Sequence, residues 1–304
     1  MQYDVITVLD TCVDLIINLG NTVPEFDQKE KWMDSYSLEM GGSSCIFACQ
    51  CAKLGLKTAG IGMTGDDAFG KVVIDGLRGC GVDVSHLKPC EEKTGLGVLL
   101  TRKNDRSILT YSGTIGAAGP GLLTDEILES ARHLHVGSYY LLSGMRDAFP
   151  EMLRRAKKSG LAVSLDTNWD PEEKWDLPDD LLSCVDIVFP NENEAMLLTG
   201  ADDLSEAIRR LNKKVPVVAV KLGAAGAVAA KDGEIVSLPA FNVSVADTVG
   251  AGDSFDAGFA YAFLNGMNLT ECLKAGIFCG SMSTSMPGGT AGQPDLVELL
   301  KYLS

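Results

Sequence analysis

Between residues 133 and 221 the chain repeats one unit: a short apolar run, a turn, and a segment whose apolar residues fall at helical spacing. The runs cover 133–137, 161–166, 187–190 and 215–221, and the helical segments cover 148–159, 178–184 and 204–211. Such alternation predicts an α/β fold with a mostly parallel central sheet flanked by helices, because a parallel strand pair needs a crossover and a helix is the usual one. Upstream, residues 5–9 predict a further buried strand and 43–54 a helix closed by Gly55. A Gly-rich turn over 62–67 and a helix over 69–78 follow. Ligands of such sheets gather beyond the carboxyl ends of the strands.

Two stretches break this rhythm. Residues 15–39 are polar and mixed, and 94–112 hold two β-like runs separated by the charged turn Arg102-Lys103-Asn104-Asp105-Arg106. The second predicts a hairpin, and together they fit a small β-sheet projecting from the core as a lid. With no internal repeat, residues 1–304 are expected to form one domain carrying that lid. A net charge of −15 argues against nucleic acid or an anionic membrane as partner, and leaves any polyanionic ligand to local N–H groups, a metal ion and a few basic residues. No stretch is long enough to span a membrane, and the first residues lack a basic region before an apolar one. The nine cysteines sit mostly in apolar runs without a Cys-x-x-Cys pair, and there are three histidines. Reduced thiols in the cytoplasm are expected, rather than a zinc site or disulfide scaffold.

Asp247-Thr248-Val249-Gly250-Ala251-Gly252-Asp253 carries the chemistry. It sets a carboxylate just behind a turn nearly free of side chains, and residues 254–263 read as a helix with small and aromatic residues on its buried faces. Such a turn leaves unpaired N–H groups at the positive end of the helix dipole, which is an anion site. A carboxylate there repels phosphate. It makes sense if Asp253 takes a proton from a hydroxyl that then attacks a phosphoryl group; an ordinary aspartate at a helix start is the plain alternative.

This stretch closely resembles the second signature of the ribokinase-like (PfkB) carbohydrate kinases, with every defined position filled. The resemblance implies a ribokinase-like fold and transfer from ATP, with Mg2+, to a hydroxyl of a small sugar. Asp253 would be the general base, and the N–H groups of Gly250, Ala251 and Gly252 would hold the developing charge. It also implies a lid that covers the sugar and often forms a dimer contact, hence a homodimer. Met40-Gly41-Gly42-Ser43-Ser44-Cys45-Ile46, followed by Leu54-Gly55, is similar to the first motif, whose paired glycines admit a sugar close to the backbone. Ile46 stands where the family places a sugar-binding Asn, so ribose specificity does not transfer; a core-facing helix residue is the plain reading of it. Asp14 occupies the place of the family's hydroxyl-accepting Asp, ending a strand-and-turn segment, with Asp10 a weaker contender.

Asn191 and Glu194 resemble the family's Asn-x-x-Glu motif, which organises triphosphate and magnesium, and they also suit a helix capping box. Asp166-Thr167-Asn168 resembles its Asp-x-Asn segment, so Asp166 is expected to support the metal or phosphate region. Lys221-Leu222-Gly223-Ala224-Ala225-Gly226 resembles its nucleotide-contacting turn, with Lys221 replacing Thr and adding a cation near phosphate. Adenine would lie between that turn and residues 275–279. Residues 283–292 would loop back beside the catalytic turn and hold K+ through Asp247, the Val249 carbonyl, Ser283, Met286 and Gly288. A nucleoside kinase, with Tyr111, Tyr139 and Tyr140 as aromatic contacts, stays open, as does a sugar-phosphate kinase using Arg102, Lys103 and Arg106. A non-catalytic sugar sensor would not need the base. A dinucleotide-binding dehydrogenase fits poorly, since no Gly-x-Gly-x-x-Gly follows the first strand.

Overall fold

The computed structural model describes residues 1–102 and 105–304; the expected turn residues Lys103 and Asn104 fall outside the described residues. In chain order the strands are β1 (Tyr3–Val8), β2 (Cys12–Asn18), β3 (Ser35–Met40), β4 (Thr58–Gly65), β5 (Asp83–Cys90), β6 (Gly95–Arg102), β7 (Asp105–Tyr111), β8 (Ala131–Val136), β9 (Ala162–Leu165), β10 (Ile187–Val188), β11 (Val217–Lys221), β12 (Ala227–Lys231) and β13 (Glu234–Leu238). The α-helices are α1 (Ser43–Lys53), α2 (Ala68–Gly79), α3 (Thr114–Ala117), α4 (Asp125–Glu129), α5 (Phe149–Lys158), α6 (Asp179–Leu182), α7 (Glu192–Thr199), α8 (Leu204–Asn212), α9 (Ala251–Leu264), α10 (Leu269–Ser283) and α11 (Leu296–Leu303).

Nine strands form one sheet in the order β13-β12-β11-β10-β9-β8-β1-β4-β5. From β11 to β5 every pair is parallel, as the alternation predicts; β12 and β13 extend the far edge antiparallel. Side-chain period two sorts each strand onto two cores. On β11, Val217 and Ala219 join the core with α1, α9 and α10, while Val218 and Val220 join the core with α5 and α8. Helix α9 is buried nearly all round, from Asp253 to Ala262, because it lies between the sheet and α10.

The Gly-rich segment expected as a turn over 62–67 lies mainly within β4, with only Asp66 and Asp67 outside the strand. Gly62 of this segment and Gly60 just before it let β4 pass close over Leu9: a Cβ on Gly60 would meet Leu9 Cδ1 at 2.4 Å. The stretches 15–39 and 94–112 do supply a separate four-stranded sheet, ordered β3-β2-β6-β7, in which β6 and β7 are the expected hairpin. Asp14 is the third residue of β2, not the end of a turn, and it registers opposite Glu39 on β3 and Gly97 on β6.

Phe259 of α9 is fully buried and meets Phe189 edge-on, with ring centroids 5.4 Å apart. Phe259→Ala should cost about 3–5 kcal/mol of stability, read as a lower midpoint in denaturant; an unchanged midpoint would show that α9 is not set by this packing.

Candidate active site

Helix α9 starts from Gly250, in the left-handed conformation at φ 73°, and no side chain caps it. The N–H of Ala251 makes a long turn bond to the Thr248 carbonyl, 3.4 Å. Of the three N–H groups expected to face an anion, that one is therefore partly spent. Among the described residues those of Gly250 and Gly252 have no partner, and the N–H of Asp253 joins them. Asp253 is 9 % exposed as a residue. Burial pushes its carboxyl up to about 7, the charge of Asp166 adds to the rise, and Lys221 opposes it.

The turn is held from two sides. Ile46 of α1 is buried beneath it: Ile46 Cγ2 would stand 2.9 Å from a Cβ on Gly250, and Cδ1 2.5 Å from one on Gly289. Asp247 Oδ1 accepts from the Val249 N–H at 3.1 Å and Oδ2 from the Gly288 N–H at 3.0 Å. Residues 283–292 thus do return beside the Gly250 turn. Within that segment Ser283 is buried and donates its hydroxyl to the Gly280 carbonyl, while Met286 is half exposed.

On one flank stand Asp14 and the glycine pair. A Cβ on Gly41 would come 2.6 Å from the Asp14 carboxyl carbon, and one on Gly97 2.5 Å from Asp14 Oδ1, so the carboxyl occupies room that only glycines leave. Burial pushes Asp14 up to about 6, with Asp10 adding and Arg106 of the lid opposing. Asp10 is not free to hold a hydroxyl. Its two oxygens accept from the N–H groups of Ser43 and Ser44 at the start of α1, at 2.9 and 3.0 Å, and from the Ser138 hydroxyl at 2.5 Å. It is a buried anchor for the Gly41-Gly42 turn, not an alternative to Asp14. Asn168 extends this network, donating to the Ser43 and Ser138 hydroxyls at 2.7 and 2.9 Å.

On the other flank, Asn191 and Glu194 form a complete capping box on α7. Glu194 is 5 % exposed; burial raises it to about 7, Asp166 adds, and Lys221 opposes. Gly223 and Gly226 shape the turn after β11, with φ 57° and 100°. Lys221 ends β11 and is tied to Asp166 Oδ2 at 2.6 Å and to Asp256 Oδ1 at 3.2 Å. Burial alone would lower its pKa, but Asp166 and Asp256 hold it well above the usual lysine range. Asp10, Asp166, Asn191 and Lys221 all follow or end strands of the parallel sheet, as the carboxyl-end rule requires.

Two expectations fail on burial. Residues 275–279 do not offer a face to a base: Ala275 and Cys279 pack against Gly258, and Gly276 against the ring of Phe255. Tyr139 and Tyr140 lie in the core at 2 % and 3 % exposure, so only Tyr111 of the three aromatic candidates is on the surface.

The pfkB family of carbohydrate kinases matches residues 5–296. The chain belongs to that family. A ribokinase of Arabidopsis thaliana is 32 % identical over 278 residues, covering 86 % of this chain and 72 % of the relative. A 5-dehydro-2-deoxygluconokinase of Halalkalibacterium halodurans is 29 % identical, covering 98 % and 93 %. The solved Arabidopsis thaliana ribokinase complexed with ribose and ATP superposes with a TM-score of 0.86 at 27 % identity, covering 100 % and 99 %. This chain is thus a PfkB-family carbohydrate kinase with the ribokinase-like fold.

Sequence reasoning missed Asp256, Ser43 and Ser138. Asp256 carried a signal: it is a lone acid in the otherwise apolar stretch 254–263, one turn beyond Asp253. If Asp253 is the general base, its raised carboxyl sets the sign of a pH effect. A base must be ionised, so kcat/KM should fall as pH drops through about 7 and level off above it; a profile flat down to the ordinary carboxylate range would exclude Asp253 as that base.

Proposed function

We propose that the chain phosphorylates a hydroxyl of a small sugar with ATP, with Asp253 as general base. One observation carries this reading: a buried carboxylate stands in the first turn of an uncapped helix, so a proton acceptor and an anion site occupy the same turn. The acceptor hydroxyl gives its proton to Asp253, its oxygen bonds to the terminal phosphorus, and the bond from that phosphorus to the leaving ADP oxygen breaks. The N–H groups of Gly250 and Gly252, with that of Asp253 and partly that of Ala251, receive the charge on the transferred group. Asp14 and the Gly41-Gly42 turn hold the sugar, since a carboxylate accepts two hydroxyls side by side.

The donor nucleotide lies along Asn191, Glu194, Lys221, Gly223 and Gly226. The capping box engages only Oε2 of Glu194, which leaves Oε1 for a hard cation or its water. Glu194 is therefore suited to hold Mg2+, which would offset the charge of the nucleotide phosphates. A K+ site beside the turn would draw on Asp247, the carbonyl of Val249, and the segment holding Ser283, Met286 and Gly288. The ribokinase relative bound to ribose and ATP supports the sugar reading. A nucleoside acceptor has lost two of its three aromatic supports to the core.

The lid also supports a homodimer. Strand alternation places Asp14 on the inner face, while Leu15, Ile17, Tyr36, Leu38, Leu109 and Tyr111 share the outer one. Tyr36 and Leu109 are 67 % and 61 % exposed, an apolar sheet face that a second copy would cover. The nine free thiols, seven of them buried, fit a reducing cytoplasm.

Asp253→Asn should lower kcat by roughly 10²–10⁴-fold without a change in folding, in an ADP-release assay over a panel of sugars with and without potassium; near-normal turnover would remove Asp253 from its role. Leu109→Glu should shift the protein to monomer by light scattering, and an unaltered dimer would place the contact elsewhere.

A further inference from the structure

The bonds of Lys221 join three elements: its own strand β11, the loop after β9 through Asp166, and α9 through Asp256. The three side chains are 15 %, 2 % and 0 % exposed, whereas in every other ion pair among the described residues each side chain is at least 25 % exposed. Setting an ammonium between two buried acids gains little as support alone, because apolar side chains of similar size hold a fold as well or better. Position argues for a different use. The Lys221 ammonium stands 3.4 Å from where a Cβ on Gly252 would be, at the face of the uncapped turn. An ammonium has three donors. Asp166 takes one at 2.6 Å, and Asp256 takes a second, shared between its oxygens at 3.2 and 3.4 Å. The third is left over beside Gly252.

Resting on the phosphotransfer reading above, we propose that Lys221 is a catalytic residue that donates to an oxygen of the transferred phosphoryl group, and that Asp166 and Asp256 are the positioning residues that aim it. Lys221 contributes no atoms to the products. It offsets the charge on the phosphoryl oxygens while the hydroxyl proton passes to Asp253 and ADP leaves with the electron pair of the broken bond. The two acids fix the ammonium before substrates arrive, so little reorientation is needed during transfer. Asp256 lies one turn beyond Asp253 on α9, so one helix carries both the base and the residue that sets the cation.

The test compares Lys221→Met, Lys221→Arg, Asp256→Asn and Asp256→Leu with Asp253→Asn, measuring kcat, KM for both substrates, the Kd for ADP by calorimetry, and the thermal midpoint. Lys221→Met should lower kcat on the order of 10²-fold while the Kd for ADP moves only a few-fold, and Lys221→Arg should recover part of the loss. Asp256→Asn keeps an acceptor for the ammonium and should keep most of kcat; Asp256→Leu should lose roughly tenfold or more. If Lys221→Met does not fold, the pair Lys221→Met with Asp256→Leu removes the charge and one partner together and gives the same reading. A folded Lys221→Met variant with kcat within about threefold of the parent overturns the proposal, as does a loss confined to ADP affinity. If Asp253→Asn is impaired in that case, the phosphotransfer reading survives alone; if Asp253→Asn is also unimpaired, both fall.

Discussion

Helix α9 begins without a cap, and the rest of the site follows from that. An uncapped helix end in a buried place is costly unless something satisfies its N–H groups. Here Gly250 takes a left-handed turn that only a residue without Cβ adopts easily, and the N–H groups behind it stay open. The surrounding contacts keep the turn from relaxing. Ile46 fills the space below it, and Asp247 ties it to Gly288. α10 and the sheet fix the helix axis. What the fold leaves unsatisfied, a phosphoryl group can satisfy.

Charge balance is the second constraint. Asp10, Asp14, Glu194 and Asp253 are each pushed up by burial first, and Asp166 adds to the rise of Glu194 and Asp253. Against these acids stand Lys221 at the end of β11 and Arg106 on the lid. The chain as a whole carries −15, so long-range attraction does not bring a nucleotide here. In the proposed reading, binding rests instead on oriented N–H groups, on a metal ion held by Glu194, and on one aimed ammonium. Such short-range, fixed dipoles and charges serve transition-state charge better than a diffuse positive surface would.

Much of this was legible in the sequence, and the failures have physical causes. Alternating apolar runs and helical spacing announced the parallel sheet because each strand is buried on both faces. The β6–β7 hairpin was visible because two β-like runs flank a charged turn. Glycines misled at β4, where their purpose is close passage over Leu9 rather than a bend. Tyr139 and Tyr140 looked like ligand contacts because period and composition do not say which wall of the sheet a loop packs against. Asp10 and Asp14 were hard to rank for a similar reason: four residues apart in sequence, one is consumed by the start of α1 and the other is framed by glycines on two strands. Asp256 escaped because its partner, Lys221, is 35 residues away. The pairing exists only in three dimensions.

In the proposed reaction, acceptor hydroxyl, transferred phosphoryl and Asp253 meet at the Gly250 turn. A crystal structure with ADP, aluminium fluoride and an accepted sugar tests it most directly. The planar fluoride should sit on the N–H groups of Gly252 and Asp253, and the sugar hydroxyl within roughly 2.6–3.2 Å of an Asp253 oxygen. A fluoride bound away from that turn, or an acceptor hydroxyl facing another residue, would contradict it.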